Sequence, residues 1–252
     1  MIITLLTDFG NTDTFVAEMK GVILSINPTV TIVDITHEIE PFNIIEGAMK
    51  LSSAERYFPQ GTIHLAVVDP GVGSSRKGII IKTEKALFVG PDNGILSLAV
   101  KDYSRKEIYE ITLPVSGGST FHGRDLFAPV AARLSKGESP ESMGRTIEEF
   151  VKITLPEPVI EKNRIKGEVV IIDRFGNAIT NINEHILGNR RFRVRIKSKE
   201  IPLFKFYKEA GKRPGALINS SGYLEIFKYR ASLSKALNIK LYDKVEVLFE
   251  DI

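Results

Sequence analysis

Two charged side chains, Asp69 and Arg76, bracket a turn built from Pro70, Gly71 and Gly73, with Ser74 and Ser75 beside the arginine. Glycines let backbone approach a ligand closely, and the hydroxyl and guanidinium groups add donors. The turn follows the apolar run Thr62 to Val68, which reads as a parallel strand covered on both faces; ligands of open α/β sheets bind beyond the carboxyl ends of such strands. A guanidinium there can hold a carboxylate and stabilise developing negative charge.

His122 is the next candidate. It precedes a predicted helix and is followed by Gly123, Arg124 and Asp125, a setting in which titratable groups gather in clefts. His37, His64 and His185 have ordinary places in a loop, a strand and a polar turn. Asp8, within Thr7 to Gly10 and followed by Asp13, ends the first strand, where a carboxylate can accept from ribose hydroxyls or bind a divalent metal. In the second half, Asn177 closes a turn that starts at Asp173, and its amide suits a purine edge, although the turn by itself is an ordinary hairpin. Asn219 to Tyr223 reads as another hairpin. Phe175 and Tyr207 could stack on a heterocycle or fill a small barrel.

The elements that must position these groups change character along the chain. Strand Ile2 to Leu6 is followed by apolar residues at helical spacing from Phe15 to Ile26, stopped at Asn27 and Pro28. A strand from Val30 to Ile35 comes next, then a capping box of Asn43 and Glu46 opening a helix to Phe58. Strands 78–83 and 86–89 follow the Asp69 turn, Pro91 to Gly94 introduces a helix through about Tyr103, and a further helix runs from Arg124 to Lys136. This alternation predicts a doubly wound, Rossmann-like α/β domain over residues 1–156. Beyond the Pro-containing linker Leu155 to Pro158, short strands are predicted at 165–172, 178–182, 192–196, 201–206, 216–219, 223–227 and 244–250, with one helix at 232–237. They predict a smaller antiparallel β-barrel domain over residues 162–252.

Composition narrows the function classes. With 43% hydrophobic and 26% charged residues over 252 positions, the chain reads as a globular protein with ample core. A net charge of only +3 argues against a nucleic-acid partner, and Arg190, Arg191, Arg193 and Arg195 alternate like a strand's solvated face. The absence of cysteine excludes disulfides and thiolate metal sites. No signal pattern and no membrane-length apolar run are visible, which predicts a cytoplasmic protein without a membrane partner.

Six motifs occur in order: Thr7 to Gly10, Val67 to Arg76, Gly90 to Gly94, Thr120 to Asp125, Asp173 to Asn181, and Asn219 to Glu225. Together they resemble the S-adenosyl-L-methionine hydroxide adenosyltransferase family over nearly the whole chain, a family related to enzymes that attack the same substrate carbon with fluoride or chloride. The resemblance implies hydrolysis of S-adenosyl-L-methionine at the ribose 5′ carbon, giving adenosine and L-methionine, with no cofactor and no metal. It assigns Asp69, Arg76 and His122 to a set that positions and activates water, Asp8 to the ribose hydroxyls, and Asp173, Phe175 and Asn177 to methionine and adenine. Tyr207 would cover adenine, Ser220 and Ser221 would hold the methionine carboxylate, and Glu225 and Arg230 complete the substrate-binding positions.

The leaving group is a neutral thioether and needs no general acid, whereas the attacking water must lose a proton, a task for which a positioned base supplies about 10²–10⁴-fold. Either Asp69 or His122 could take that proton. The halogenating relatives are trimers with the site between one chain's first domain and a neighbour's second, which implies a homotrimer. Where they carry Tyr and Ser near the halide, this chain has Asp69 and Gly123, and His122 replaces a further Tyr. A negative Asp69 repels halide, so water is the expected nucleophile. Lys228, Tyr229 and Arg230 are bulkier and more charged than the segment usual there. Two other readings use the same residues: a metal-dependent nucleotide phosphohydrolase with Asp8, Asp13, Asp69 and His122 around Mg²⁺ or Mn²⁺, and a non-catalytic module that binds an adenosyl ligand.

Overall fold

The structure, a computed structural model, describes residues 1–115 and 120–250. The chain divides into two compact units, Met1–Ile153 and Thr154–Ile252.

The first unit runs β1 (Ile2–Thr7), α1 (Phe15–Ile26), β2 (Thr31–Thr36), α2 (Ile44–Glu55), β3 (Ile63–Val67), β4 (Gly78–Thr83), β5 (Leu87–Pro91), β6 (Lys106–Ile111), α3 (Ala128–Ser135) and β7 (Gly144–Ile147). The sheet order is β2-β1-β3-β5-β4-β6-β7. β2, β1, β3 and β5 are parallel, whereas β4, β6 and β7 extend the sheet in antiparallel fashion. Strand side chains alternate between faces, so β3 sends Ile63, Leu65 and Val67 into one core with Met19 and Ile23 of α1 and Val130 and Leu134 of α3. Ala66 joins Leu51 of α2 and Phe88 in the core on the opposite face. That double covering explains the almost unbroken apolar run of β3. Gly90 of β5 permits this packing: a Cβ there would lie 2.4 Å from the Ala66 carbonyl oxygen of β3.

Three expectations need correction here. Residues 94–103 form successive turns rather than a helix, because i−3 bonds such as Ser97 N–H to Gly94 O (2.9 Å) interrupt the i−4 ladder and the Ser97 hydroxyl also donates to Gly94 O at 2.7 Å. The helix expected from Arg124 opens with a π turn, Gly123–Phe127, before α3. Pro129 offers no N–H to the Asp125 carbonyl and its ring would crowd that oxygen, which the wider turn accommodates. The capping box is half formed: Asn43 Oδ1 accepts from Glu46 N–H at 3.0 Å, but the Glu46 carboxylate accepts from Glu40 N–H instead, and α2 ends at Glu55. Strands β6 and β7 were not expected.

The second unit contains β8 (Val159–Ile160), β9 (Arg164–Ile172), β10 (Ala178–Asn183), α4 (Glu184–Leu187), β11 (Phe192–Ile196), β12 (Lys199–Ile201), β13 (Pro214–Ile218), β14 (Tyr223–Lys228), α5 (Leu233–Leu237) and β15 (Lys244–Phe249). The antiparallel order is β12-β11-β15-β9-β10-β14-β13, with β8 pairing β9 just after the Pro-containing stretch. The ends approach closure through a bridge from Leu203 to Ala216 in β13, with Phe204 N–H donating to Ala216 O at 2.9 Å. Alternating residues such as Ile165, Val169, Val194, Ile196, Leu224, Ile226, Val245 and Val247 fill the barrel. The strand expected over 201–206 stops at Ile201: Pro202 has no ladder donor, and the chain leaves through Leu203 into a 3₁₀ turn, Tyr207–Ala210.

Candidate active site

Asp8 and Asp69 follow neighbouring strands, β1 and β3, whose last residues Thr7 and Val67 are paired in register. The sheet therefore delivers two carboxylates to one edge. The Asp69 turn is folded on itself: the Ser74 hydroxyl donates to Gly71 O at 2.6 Å and accepts from Arg76 N–H at 3.2 Å, and Gly73 has φ +78°. This returns Arg76 to Asp69, where Nε donates to Oδ1 at 3.1 Å and Nη2 donates to Oδ2. Both side chains are nearly inaccessible, 8% and 5% exposed. Arg76 also donates to Lys77 O at 3.2 Å and lies over the Phe127 ring at 5.4 Å. Asn93, from the Gly90 to Gly94 motif, braces the same loop by donating to Val68 O at 2.8 Å.

His122 joins this pair through Nδ1, 3.0 Å from Arg76 Nη2. Arginine has only donors, so Nδ1 must be the acceptor and the neutral ring carries its proton on Nε2. Burial and then the Arg76 charge lower the His122 pKa, outweighing the opposing pull of Asp69 and Asp125. For Asp8 the balance runs the other way. Burial raises its pKa, the Asp69 charge adds to that, and a hydrogen bond from Phe42 N–H to Oδ2 at 2.9 Å partly offsets it. Phe9, Phe15 and Phe121 form an aromatic wall with centroids 5.2–5.8 Å apart, and Gly123 fits only as glycine because a Cβ would come within 2.9 Å of the Phe121 ring. Sequence reasoning overlooked Phe127 and Phe42. The first sits five residues after His122 in the helical segment, a spacing that could have revealed it; the second contributes its backbone, which leaves no signal in residue type.

Asp13 is exposed and outside this network. Among the described residues no three His, Asp or Glu side chains converge so as to hold a metal ion, and a guanidinium occupies the centre of the array. The donor set therefore does not fit the phosphohydrolase reading.

In the second unit, Asp173 Oδ1 accepts from the N–H groups of Phe175 (2.9 Å) and Asn177 (2.8 Å), and Oδ2 accepts from Asn177 Nδ2 at 3.0 Å. A cavity of about 630 Å³ brings together Asp173, Phe175, Asn177, Tyr207 and Arg230, with Lys228 and Tyr229 also on its wall. Phe175 is 76% exposed. Glu225 is buried behind the cavity, accepting from Tyr207 Oη at 2.9 Å and Asn219 Nδ2 at 3.2 Å; burial raises its pKa against both bonds. Ser220 and Ser221 lie in the β13–β14 turn and do not line the cavity. A larger cleft of about 710 Å³ in this unit contains none of the expected site residues; its Lys166, Lys197 and Lys244 are ion-paired to Glu161, Asp243 and Glu168.

No helix among the described residues is long and apolar enough to cross a membrane. Residues 3–144 match the family model described as the SAM hydroxide adenosyltransferase N-terminal domain, and residues 167–246 match its C-terminal domain. The chain is 39% identical to a protein of Methanocaldococcus jannaschii named (R)-S-adenosyl-L-methionine hydrolase, over 98% of this chain and 96% of the relative. It is 28% identical to a fluorinase of Actinopolyspora mzabensis, over 95% and 94% of the two chains. A solved structure of an uncharacterized conserved protein from Thermotoga maritima superposes with a TM-score of 0.89 at 38% identity, covering 98% of this chain and all of the other. With both of its units matched and the relatives aligned almost end to end, the chain belongs to the SAM hydroxide adenosyltransferase family.

Proposed function

We propose that this protein hydrolyses S-adenosyl-L-methionine to adenosine and L-methionine, with water attacking the ribose 5′ carbon. The observation that carries the reading is the Asp69–Arg76–His122 array, with its Asp69–Arg76 ion pair buried, at the strand ends of a chain in this family. As the water oxygen bonds to C5′, the C5′–S bond breaks and its electron pair neutralises the sulfonium. The water proton must leave at the same site. His122 Nδ1 is already occupied by Arg76 and its Nε2 carries a proton, so the ring is a donor that holds the nucleophile. That leaves Asp69 as the acceptor, with Arg76 fixing its carboxylate in two bonds.

Asp8 is proposed to bind the ribose hydroxyls. Asp173, Phe175, Asn177 and Tyr207 would take adenine and the methionine portion, and Ser220 and Ser221 would contact the amino-acid head. Glu225 would act behind them by holding Tyr207. Residues 1–156 thus carry the reacting groups and 162–252 the recognition groups. We place the enzyme in the cytoplasm, as a homotrimer in which a site combines the first unit of one chain with the second unit of a neighbour, and without a nucleic-acid partner. Mixing an Asp69→Ala protein with an Asp173→Ala protein, after subunit exchange and with substrate held well below the wild-type KM, should give a rate above the average of the two parents; no such gain in demonstrably mixed oligomers would sink the shared site. The reaction itself is tested in oxygen-18 water. Label is expected in the 5′ hydroxyl of adenosine, and unlabelled adenosine or absence of cleavage would overturn the assignment.

A further inference from the structure

The loop between β2 and α2 grips the turn that carries Asp8. Gly10 N–H donates to His37 O at 2.8 Å, and Phe42 N–H donates to Asp8 Oδ2 at 2.9 Å. Within the turn, Phe9 N–H donates to the Thr7 hydroxyl at 3.3 Å, and that hydroxyl lies 2.9 Å from His37 Nδ1, with Thr7 and His37 both buried. Phe42 holds φ +68°, a left-handed conformation that a residue with a Cβ rarely adopts, and strain of this kind gathers at functional sites.

An irregularity in β2 brings His37 to Thr7. Leu5 of β1 pairs with Asp34 and Leu6 with Thr36, so Ile35 is an extra residue in the ladder, a bulge. Residues three apart in a regular strand face opposite ways, and the bulge turns Asp34 and His37 to the same side. His37 Nε2 lies 3.1 Å from Asp34 Oδ1 in an oblique contact, while Asp34 Oδ2 accepts from Lys20 Nζ at 2.6 Å. Burial pushes the Asp34 pKa up, but the bonds from Lys20 and His37 bring it below the ordinary carboxylate value. A carboxylate only accepts, so in the neutral ring Nε2 carries the hydrogen, Nδ1 is the acceptor and the Thr7 hydroxyl is the donor. Among the described residues no side chain bonds Asp8, so the aim of its carboxylate depends on the backbone of its own turn and on Phe42 N–H.

We propose that His37 is a positioning residue for ribose recognition: by fixing the Thr7 hydroxyl it sets the turn that aims Asp8 at the ribose hydroxyls. The inference rests on the reading of Asp8 as the ribose-binding carboxylate and adds a buried imidazole that touches no ligand. A carboxylate aimed before the ligand arrives binds more tightly than one that must be ordered on binding.

Nucleosides test the ribose contact apart from turnover. Calorimetry on the full chain compares adenosine with 2′,3′-dideoxyadenosine, and the ratio of their affinities reads the hydroxyl contact alone. His37→Gln keeps an amide near the place of Nε2 and removes the Nδ1 acceptor; Thr7→Val keeps the buried shape and removes the hydroxyl. Each should weaken adenosine roughly three- to tenfold, the range of one lost hydrogen bond, and leave dideoxyadenosine within about twofold. His37→Asn, whose amide oxygen falls near the place of Nδ1, should restore most of the ratio. Asp8→Ala should abolish the preference for adenosine, and adding His37→Gln should change it no further. A ratio retained in either folded variant, equal weakening of both nucleosides, or additive losses in the double variant would each overturn the assignment. A wild-type protein that binds neither nucleoside, or both equally, overturns the Asp8 reading and the role of His37 with it. If the ratio follows His37 while S-adenosyl-L-methionine is not cleaved, the hydrolase reading fails and the positioning role stands.

Discussion

The two units treat their polar side chains in opposite ways. In the first, Arg76 bonds both Asp69 and His122, the Asp69–Arg76 pair is buried and Arg76 lies over Phe127, with tautomer and orientation set before any ligand arrives. In the second, Phe175 is exposed and, among the described residues, neither Lys228 nor Arg230 makes an ion pair or a side-chain hydrogen bond. A reacting group held by fixed neighbours needs no reorganisation during bond making, whereas a recognition surface gains from groups whose charge is still available. On the proposed function, the contrast gives rate to the first unit and affinity to the second.

The largest test of that division is Asp69→Ala. Loss of the proton acceptor should lower kcat about 10²–10⁴-fold, while calorimetric affinity for S-adenosylhomocysteine changes little. An affinity loss matching the rate loss would erase the distinction between the units. Asp173→Ala is the converse. It should reduce affinity about tenfold, since three hydrogen bonds organise the cavity wall around that carboxylate, and leave kcat at saturation near the wild-type value.

A pH profile sharpens the same comparison. Because the His122 pKa lies below the ordinary histidine value of 6.5, the ring stays neutral at and somewhat below that pH. Protonation at Nδ1 would aim an N–H at the Arg76 guanidinium. Activity should therefore fall on an acid limb with its midpoint under pH 6.5, and His122→Asn should lower the rate and remove the limb. Stability follows the same sign. A folded-state pKa below the unfolded one gives a contribution that is present above the unfolded value and lost as pH falls through the folded value. His64 shows this more strongly: buried between Phe58 and Phe88, its pKa is pushed down to about 4. Acidification from pH 6.5 to 4 should thus cost about 3 kcal/mol in urea unfolding, and His64→Gln should flatten that slope. The smallest expected effect is that of Phe175→Ala. With its ring 76% exposed, only ligand stacking is lost, so affinity should fall by roughly 1–2 kcal/mol with no change in urea midpoint.

Much of this was legible because it depends on local pattern. The apolar run of β3 announced a strand buried on both faces, Pro28 and Gly137 marked helix ends, and the alternating segments after residue 160 announced an antiparallel barrel. The misreadings share a cause. Residues 94–103 are apolar enough for a helix, but Ile95, Leu96, Ala99 and Val100 bury themselves as consecutive turns, and hydrophobic content alone does not set the hydrogen-bond ladder. Leu203 lies beyond a proline yet still bridges to Ala216, a contact made only when the barrel nears closure.

By itself the amino-acid order determined which groups are present and on which strand ends they must emerge, because burial and turn chemistry act over a few residues. Only the tertiary structure decided how they meet. Arg76 and His122 are 46 positions apart, and their 3.0 Å contact settles which imidazole nitrogen bears the proton. Likewise Glu225 accepts from Tyr207, since the path of β14 past the 3₁₀ turn brings the two together. Side-chain roles of this kind depend on distances between segments remote in the chain, and no local propensity encodes them.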